Sequence, residues 1–460
     1  MVRILDYLEV VDRAMTGERI DEKEYEMRVF KNIQEFVREL KIKPDPENPV
    51  PSDDSLADEV FEAGLMLAER IGAYCLDTKR VVKITEDEIR GALKKIPEKI
   101  TVGAGKDARD IVARRPEDGK LPHIIGAGAT PLSEDLHVKI MYSIALEQID
   151  SIHSSNMYKI NGRRIVGMPL EVYGTRRAIE WAREAIRRAG KPGMYILGYP
   201  LNMRAYVINS MLDWEHIRPT DGVCCSHLPE GFKLEYDVLT ATHTAHEYGC
   251  YVFDHTSGHV GMYSGGPEGV VIHNVAGVLI GQTLLGYDWV FLTVIYALDT
   301  QLNDTPEIFW AKSLLSQALA RNTKVKFHAT RQAGSEPGCR EWFLQATQLV
   351  LTWVPAGVTI FQADGRPTAP RRENLCGPLE SRWCVELIRA ATKLRREEAN
   401  EVVKKISALF PKEKLRQGQF RGRSFEESYD TTTLKPKKDH LELYENMKKE
   451  VADLGVPFSW

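Results

Sequence analysis

The segment from residue 251 to residue 296 decides the fold class and reads YVFDHTSGHVGMYSGGPEGVVIHNVAGVLIGQTLLGYDWVFLTVIY. It begins with a short apolar run, YVFDH (251–255), and ends with a second one, DWVFLTVIY (288–296). Between them, Pro267 precedes VVIHNVAGVLIGQTLL, which is long enough for a helix, and proline is favoured in a first helical turn. Buried strands on either side of a helix are typical of a parallel βαβ unit.

The same alternation of a short apolar run and a helix-length stretch extends over residues 121–410. Eight runs are present: HIIGAGA (123–129), SIHSSNM (151–157), GMYILGY (193–199), GVCCSH (222–227), YVFDH (251–255), DWVFLTVIY (288–296), KVKFHAT (324–330) and GVTIFQ (357–362). Eight strand and helix pairs favour an α/β fold of the (β/α)₈ TIM-barrel type. An open, doubly wound sheet is the competing topology.

The two ends of the chain have a helical pattern. In residues 1–120, Val29, Ile33 and Phe36 fall on one helical face, and Thr85 and Glu88 have the spacing of a capping box. We therefore expect an N-terminal helical region (1–120), the barrel (121–410) and a C-terminal helical extension (411–460).

Composition excludes several classes of protein. Of the 460 residues, 43% are hydrophobic, and 61 Lys and Arg stand against 65 Asp and Glu, so bulk charge does not favour nucleic-acid binding. No apolar run approaches the roughly 18 residues of a membrane span, and we expect a cytoplasmic protein without a membrane partner. The seven cysteines contain no C-x-x-C pair and are expected to be reduced thiols.

Functional side chains of such barrels lie at the carboxyl ends of the strands. Here those ends carry His227, the pair Asp254-His255, Tyr296, and His328 followed by Arg331 and Gln332, and the last strand ends in Gln362 before Asp364. Three histidines at one barrel mouth suit Zn²⁺, which takes three protein ligands and one water, or acid/base chemistry. For any one of them, a core histidine bonded to a backbone carbonyl is the ordinary structural interpretation.

Several long stretches resemble one known family. They are AGLMLAERIGAYCLDTKRVVKITEDEI (63–89), VGAGKDARD (102–110), ATPLSED (129–135), AGKPGM (189–194) and the tail from SFEESYD to KKEVADLGVPF (424–458). On these residues the chain resembles the archaeal monomethylamine methyltransferases, which are (β/α)₈ barrels. The resemblance implies a methyltransferase that passes a methyl group from a small methylated amine to the cobalt of a separate corrinoid protein. It also implies a homo-oligomer, a hexamer in the related enzymes.

The sequence departs from that family at its reactive residues. By the resemblance, Leu197 occupies the position of the pyrrolysine whose imine captures the amine. The two flanking glutamates correspond to Leu228 and His255, and a glutamine falls near Arg331 or Gln332. Leucine offers no electrophile, so we expect no imine adduct with monomethylamine.

Three hypotheses from different classes remain. The favoured one is a methyltransferase without pyrrolysine that uses another methylated amine, such as a quaternary amine, and a corrinoid protein as partner. The others are a metal-dependent barrel enzyme that uses His227, His255 and His328, with zinc as the candidate metal, and a non-catalytic binding homologue. We assign catalytic roles to His255, His227 and Asp254, and substrate contacts to Leu197, Leu228, Tyr296, Arg331 and Gln332. No cofactor is expected to bind this chain tightly.

Overall fold

The structure is a computed structural model of the chain. It describes residues 5–128, 130–228, 231–256, 258–292, 302–330, 333–365, 372–410 and 420–458, together with Ile295, Ala297 and Pro367. For Ser226, His227 and His255 the description covers the backbone only.

The N-terminal region contains four helices and four strands. They are α1 (Tyr7–Thr16), α2 (Glu22–Glu39), α3 (Asp54–Ile71), β1 (Ala73–Cys75), β2 (Arg80–Val82), α4 (Glu86–Lys95), β3 (Lys99–Val102) and β4 (Arg109–Val112), with a 3₁₀ turn at Gly105–Asp107. The capping box at α4 is confirmed, because Thr85 and Glu88 exchange their hydrogen bonds. The expectation of a purely helical region is incomplete, since two strand pairs, β1–β2 and β3–β4, interrupt it.

Eight parallel strands then form a closed barrel. They are β5 (His123–Gly126), β6 (Ser151–His153), β9 (Tyr195–Gly198), β10 (Gly222–Leu228), β12 (Tyr251–Thr256), β13 (Trp289–Phe291), β14 (Lys326–Thr330) and β15 (Ile360–Ala363), and they follow one another around the barrel in chain order. Each overlaps one predicted run, and β10, β12 and β15 extend one residue beyond the end of theirs. The open sheet is excluded because the last strand pairs with the first, Ile360 opposite His123.

Helices and small hairpins connect the barrel strands. They are α5 (His137–Ala145), β7 (Lys159–Ile160), β8 (Arg163–Arg164), α6 (Met168–Arg188), α7 (Ala205–Ser210), β11 (Lys233–Leu234), α8 (Tyr236–Tyr248), α9 (Pro267–Leu284), α10 (Pro306–Asn322) and α11 (Arg340–Trp353). The chain continues with α12 (Pro378–Ala391), α13 (Arg396–Ser407), α14 (Phe425–Ser428) and α15 (Lys438–Asp453). None of the helices in the described ranges is both long and apolar enough to cross a membrane.

Helix α9 explains why the N-terminal region packs on the barrel. Every residue from Gly269 to Leu284 is buried, which a helix with one apolar stripe does not achieve. Helix α3 covers its outer side so closely that a Cβ on Gly64 would lie 2.4 Å from Val275 Cγ1. Strand β11 also pairs with β1, which ties the barrel connection to the N-terminal region.

The β3–β4 hairpin closes the amino end of the barrel. Ile100, Val102 and Ile111 pack on inward-facing side chains of the barrel strands. Tyr251 donates its hydroxyl to Thr101 O (2.6 Å), and Lys326 donates its ammonium to Pro97 O. The glycine-rich turn VGAGKDARD therefore belongs to the closed end, and the carboxyl ends of the strands lie at the opposite end.

Candidate functional site at the carboxyl end of the barrel

Aromatic side chains fill the lower half of the barrel. Trp289 stacks on Phe253 with ring centres 5.5 Å apart and meets the edge of Tyr195 at 5.7 Å. Gly222 makes room for them, because a Cβ there would lie 1.9 Å from the Tyr195 hydroxyl. The lower barrel is therefore a packed core, and a ligand can enter only above it.

Leu197 belongs to this apolar layer. Its side chain is fully buried and packs in one cluster with Tyr195, Cys224, Phe253 and Phe291. Its backbone pairs with His153 of the neighbouring strand β6. Leu197 thus forms part of an apolar floor, the layer of side chains on which a ligand at the barrel mouth would rest, and its side chain carries no polar atom.

Three buried histidines lie around that floor. His328 contacts Phe291 edge-on, with ring centres 4.3 Å apart, and neither of its ring nitrogens has a hydrogen-bond partner among the described residues. Burial, with smaller contributions from His153 and His123, lowers the pKa of His328 well below its usual value. Burial also lowers the pKa of His123, whose Nε2 lies 2.8 Å from Ser151 Oγ. These two rings are therefore neutral near pH 7.

On one side of the barrel mouth, three buried polar atoms have no hydrogen-bond partner in the part of the chain that the structure describes, and they lie on β14, on β15 and in the segment after β5. They are Thr130 Oγ1, Thr330 Oγ1 and Gln362 Oε1. Thr330 and Gln362 are register partners on adjacent strands, so their side chains share the interior face. Because native proteins pair nearly all buried polar groups, these orphaned atoms indicate a site for a polar ligand.

Asp364 adds a carboxylate to this side of the mouth. Its Oδ2 accepts a hydrogen bond from the Gln362 amide at 2.6 Å, and the residue has no exposed surface. It fits only because residue 128 is glycine, since a Cβ there would lie 1.4 Å from Asp364 Oδ2. Above the barrel, Tyr199 stacks on His153 with ring centres 5.3 Å apart.

Two residues predicted for the site face away from the barrel interior. Asp254 accepts hydrogen bonds from Thr256 Oγ1 (2.6 Å) and from the Leu228 N–H (3.4 Å). Thr256 itself faces the outer helix α9, because a Cβ on Gly277 of that helix would lie 2.7 Å from Thr256 Cγ2. Leu228 Cδ1 would lie 3.3 Å from a Cβ on Gly281 of the same helix. The reason is the alternation of side chains along a strand, which places Phe253 inside and its neighbour Asp254 outside.

The remaining predicted residues are only partly described. The backbone of His255 pairs with His227 on one side and with Phe291 on the other, so the two histidines stand side by side near the strand ends. Their side chains lie outside the description, as do Tyr296, Arg331 and Gln332 altogether. Across the ranges that the structure describes, no group of three or more His, Cys, Asp or Glu side chains is arranged to hold a metal ion. None of the seven cysteines, all of which lie in the described ranges, forms a disulfide.

The strand-end rule missed part of the site for identifiable reasons. His153 is the last residue of β6, but the predicted run extended to Met157 and so placed His153 inside the strand. His123 opens β5 and reaches the interior from below, so its position at a strand start gave no signal. Thr130 and Thr330 are too common as residue types to stand out in a sequence.

A family model for "Monomethylamine methyltransferase MtmB" matches residues 5–456 of the chain. Monomethylamine methyltransferase MtmB2 of Methanosarcina acetivorans is 26% identical over 461 residues, and the match covers 98% of both chains. MtmB of Methanosarcina mazei is 26% identical over 463 residues with the same coverage. MtmB1 of Methanosarcina barkeri is 27% identical over 463 residues, again with 98% of both chains covered.

Solved structures agree with the fold. The crystal structure of the Methanosarcina barkeri monomethylamine methyltransferase (MtmB) superposes with a TM-score of 0.92 over 100% of both chains, at 23% identity. The crystal structure of the hydroxylamine MtmB complex gives the same TM-score, identity and coverage. At this identity the likeness establishes the barrel architecture alone.

Proposed function

Since the chain belongs to the monomethylamine methyltransferase MtmB family, we propose that it transfers a methyl group from a small methylated amine-type donor to the cobalt of a corrinoid protein, without pyrrolysine. The observation that carries the proposal is the cluster of buried polar atoms, unpaired among the described residues, that lies beside the Asp364 carboxylate on one side of the barrel mouth. A polar ligand that contacted this cluster would remove the cost of leaving those atoms without partners.

The charges described at the mouth favour a cationic donor. Asp364 brings a carboxylate, whereas His328 is neutral because burial lowers its pKa. A quaternary amine fits this environment, and it leaves as a neutral amine after methyl transfer, so it needs no covalent activation.

The roles of individual residues are part of the proposal. Leu197 forms the apolar floor on which the donor rests, in place of an electrophile. His255 and His227 are proposed as the polar groups that orient the donor or move a proton, and Tyr296, Arg331 and Gln332 as further contacts. Asp254 and Leu228 act through packing with α9, so we propose Asp254 as a positioning residue for the adjacent His255.

The partner is proposed to dock at the carboxyl end. The corrinoid supplies the methyl-accepting cobalt and is bound by the partner protein. The β3–β4 hairpin closes the other end, so an acceptor can approach the donor only from the mouth. The connection between β6 and α6 extends from the mouth and exposes Tyr158, Val166 and Met168, an apolar surface suited to a protein contact.

A methyl-transfer assay tests the proposal. The chain is mixed with a corrinoid protein in its reduced state and a panel of methylated amines, and methylation of the corrinoid is followed by absorbance. We expect activity with at least one quaternary amine and none with monomethylamine. Asp364→Asn should lower that activity at least tenfold, whereas Asp110→Asn, on the exposed β3–β4 hairpin, should not change it.

A metal-dependent barrel enzyme remains the second candidate. The observation in its favour is His328, whose two ring nitrogens are both unpaired at the mouth side of the floor. With His227 and His255 it would form a three-histidine set of the kind that binds zinc. Elemental analysis of the purified protein separates the two candidates, and a protein with neither metal nor methyl transfer would be a non-catalytic homologue.

A further inference from the structure

The C-terminal part of the chain crosses one side of the barrel mouth. Its residues 420–429, which we call the strap, include α14 and contact the connections that follow β14, β15 and β5. The polar cluster of the proposed donor site comes from the same three places, since Thr330 lies on β14, Gln362 on β15 and Thr130 after β5. The strap and the polar cluster therefore share one side of the mouth.

Main-chain hydrogen bonds hold the strap on the connection after β14. The Glu336 N–H donates to Phe420 O (3.1 Å), and the Arg423 N–H donates to Pro337 O (2.7 Å). Gly422 fits between them only as glycine, because a Cβ there would lie 1.8 Å from Pro337 O. The two segments are therefore in direct main-chain contact.

The far end of the strap is fixed on the start of α12, the helix that follows β15. Tyr429 donates its hydroxyl to Glu380 Oε2 (2.8 Å) and accepts the N–H of Leu379 (3.1 Å). His440 of α15 lies 3.1 Å from Glu380 Oε1, and both of these side chains are buried. Because a buried carboxylate is costly to leave without its partners, this anchor fixes the strap on the barrel.

Arg372 joins the strap to two connections at once. It lies on the connection after β15 and donates to Glu336 Oε2 (2.6 Å) on the connection after β14. The same guanidinium donates to the strap at Gly422 O (3.0 Å) and at Glu427 Oε2 (3.1 Å). The planar set of donors in arginine suits such simultaneous bonds, so the three segments are held in one arrangement.

Asn374 joins the strap to the connection after β5. Its Oδ1 accepts the N–H of Ser133 (2.9 Å), and its own N–H donates to Pro131 O (2.9 Å). Its Nδ2 donates to Glu426 Oε1 of the strap (2.7 Å), and its carbonyl oxygen accepts the N–H of Phe425 (2.8 Å). Asn374 is buried and has a φ of 62°, a conformation that asparagine and aspartate adopt more readily than most residues. Its four polar groups thus bind the strap on one side and the connection after β5 on the other.

We propose that the strap sets the arrangement of the polar cluster and that Asn374 is the positioning residue through which it acts. The inference rests on the proposed function only in taking that cluster as the donor site. Thr130 lies in an irregular segment between β5 and α5, so its place depends on the hydrogen bonds of the next residues to Asn374 and Asn156. Loss of the strap contact would loosen this segment and lower the affinity for the donor.

Asn374→Asp breaks the contact with the strap selectively. Aspartate tolerates the backbone conformation and keeps an acceptor for Ser133, but it cannot donate to Glu426 and places two carboxylates side by side. Hydrogen exchange in peptides that cover residues 132 and 133, followed by mass spectrometry, should become faster. The affinity for tetramethylammonium, the probe for calorimetric titration, should fall roughly tenfold, the equivalent of one hydrogen bond to a charged group.

A second substitution restores the contact with its polarity reversed. In the double variant Asn374→Asp/Glu426→Gln, the glutamine amide donates to the aspartate carboxylate, so exchange and affinity should return to the values of the parent protein. Glu426→Gln alone should change little, because its amide oxygen still accepts from Asn374. An effect of Asn374→Asp that did not pass through the strap would not be repaired in this way.

Asn322→Asp is the matched control. Asn322 donates to Asp58 Oδ1 (2.9 Å) at the exposed end of α10, so the same substitution breaks the same kind of bond far from the mouth. It should change neither the exchange of residues 132 and 133 nor the affinity for tetramethylammonium.

Unaltered exchange in Asn374→Asp, unaltered affinity of that variant for a probe that the parent protein binds, or failure of the double variant to recover would each overturn the role of the strap. Absence of tetramethylammonium binding by the parent protein would instead count against the proposed donor. The exchange of residues 132 and 133 in the variants would still decide whether the strap holds the connection after β5.

Discussion

At the scale of single residues, the contact between Gly128 and Asp364 makes the site sensitive to one methyl group. Gly128→Ala would place a Cβ 1.4 Å from Asp364 Oδ2, so the carboxylate must move and break its bond to Gln362. We expect donor affinity to fall at least tenfold and the free energy of unfolding to drop by about 1–3 kcal/mol. Calorimetric titration with the preferred donor and denaturant unfolding measure the two effects.

Gly119 is the matched control for this substitution. A Cβ there would have no heavy atom within 4 Å, so Gly119→Ala should change neither donor affinity nor stability measurably. Equal behaviour of the two alanine variants would show that the Gly128 contact does not shape the site.

His255 is the side chain on which the proposed chemistry most depends. It stands beside His227 in the register of β10 and β12 and corresponds, by resemblance, to a family glutamate. His255→Ala should abolish ligand or metal binding with little effect on stability, because a polar side chain at a barrel mouth adds little to the core. Ligand titration and denaturant unfolding of the same preparation check this.

The opposite result for His255→Ala is equally informative. A variant that loses several kcal/mol of stability and still binds its ligand normally would make His255 a structural residue.

The strand-end rule named three side chains that the structure places on the barrel interior, His328, Gln362 and Asp364. Gln362 is the second-last residue of β15 and Asp364 follows its last residue, whereas His328 is the middle residue of β14. The prediction put Asp254 on the barrel interior, but the structure puts it on the exterior. A sequence locates a strand end only to within about one residue, and a shift of one residue moves a side chain from the interior to the exterior of the barrel. Thr130 and Thr330 became visible only through their missing hydrogen bonds, which no sequence pattern reports.

At the scale of elements, the eight barrel strands were predictable and the small strand pairs were not. Buried parallel strands are near-continuous apolar runs, and each was separated from the next by a helix-length segment. Strands β1, β2 and β11 have two or three residues each, which is too few to show an alternation of apolar and polar residues. Strand β1 also pairs with β11, which lies far from it in the sequence. Their pairing depends on tertiary contacts that a local pattern does not contain.

Helix α5 should make the protein sensitive to acid. His137 is fully buried beside Trp181 with both ring nitrogens unpaired, and burial lowers its pKa from 6.5 to about 3. Between pH 6.5 and pH 3 the unfolded chain binds a proton at His137 and the folded chain does not. The contribution of His137 to the free energy of unfolding is therefore fully present above pH 6.5 and is lost as the pH falls toward 3.

His137→Leu should remove this contribution. Between pH 7 and pH 4.5, the loss of unfolding free energy should be smaller than in the parent protein by roughly 2–3 kcal/mol. Denaturant unfolding at both pH values measures it, and Met141→Leu in the same helix is the apolar control. An unchanged pH dependence would mean that His137 is protonated in the folded state.

At the scale of the whole molecule, the fold leaves one route to the proposed donor site. The amino end of the barrel is covered by the β3–β4 hairpin, and α9 and α10 are covered by α3. We expect from the family resemblance that some of the remaining surface joins copies of the chain. Light scattering at micromolar concentration should show a homo-oligomer, and a monomer would contradict that expectation.

The two ends of the barrel should therefore respond differently to mutation. Met168→Glu and Tyr158→Glu place charges on exposed apolar side chains of the connection between β6 and α6, on the mouth side. Lys99→Glu places one on the exposed face of the hairpin at the closed end. If the corrinoid protein docks at the mouth, the first two variants should weaken its association at least tenfold and the third should leave it unchanged.

Association is measured by biolayer interferometry with the immobilised corrinoid protein, and light scattering of each variant excludes a change in oligomeric state. A mouth-side variant that alters oligomerisation without altering partner affinity would assign that surface to contacts between copies of the chain. Loss of affinity in Lys99→Glu alone would place the partner at the closed end. Methyl transfer would then need a path through the aromatic core around Trp289, which is too tightly packed to provide one.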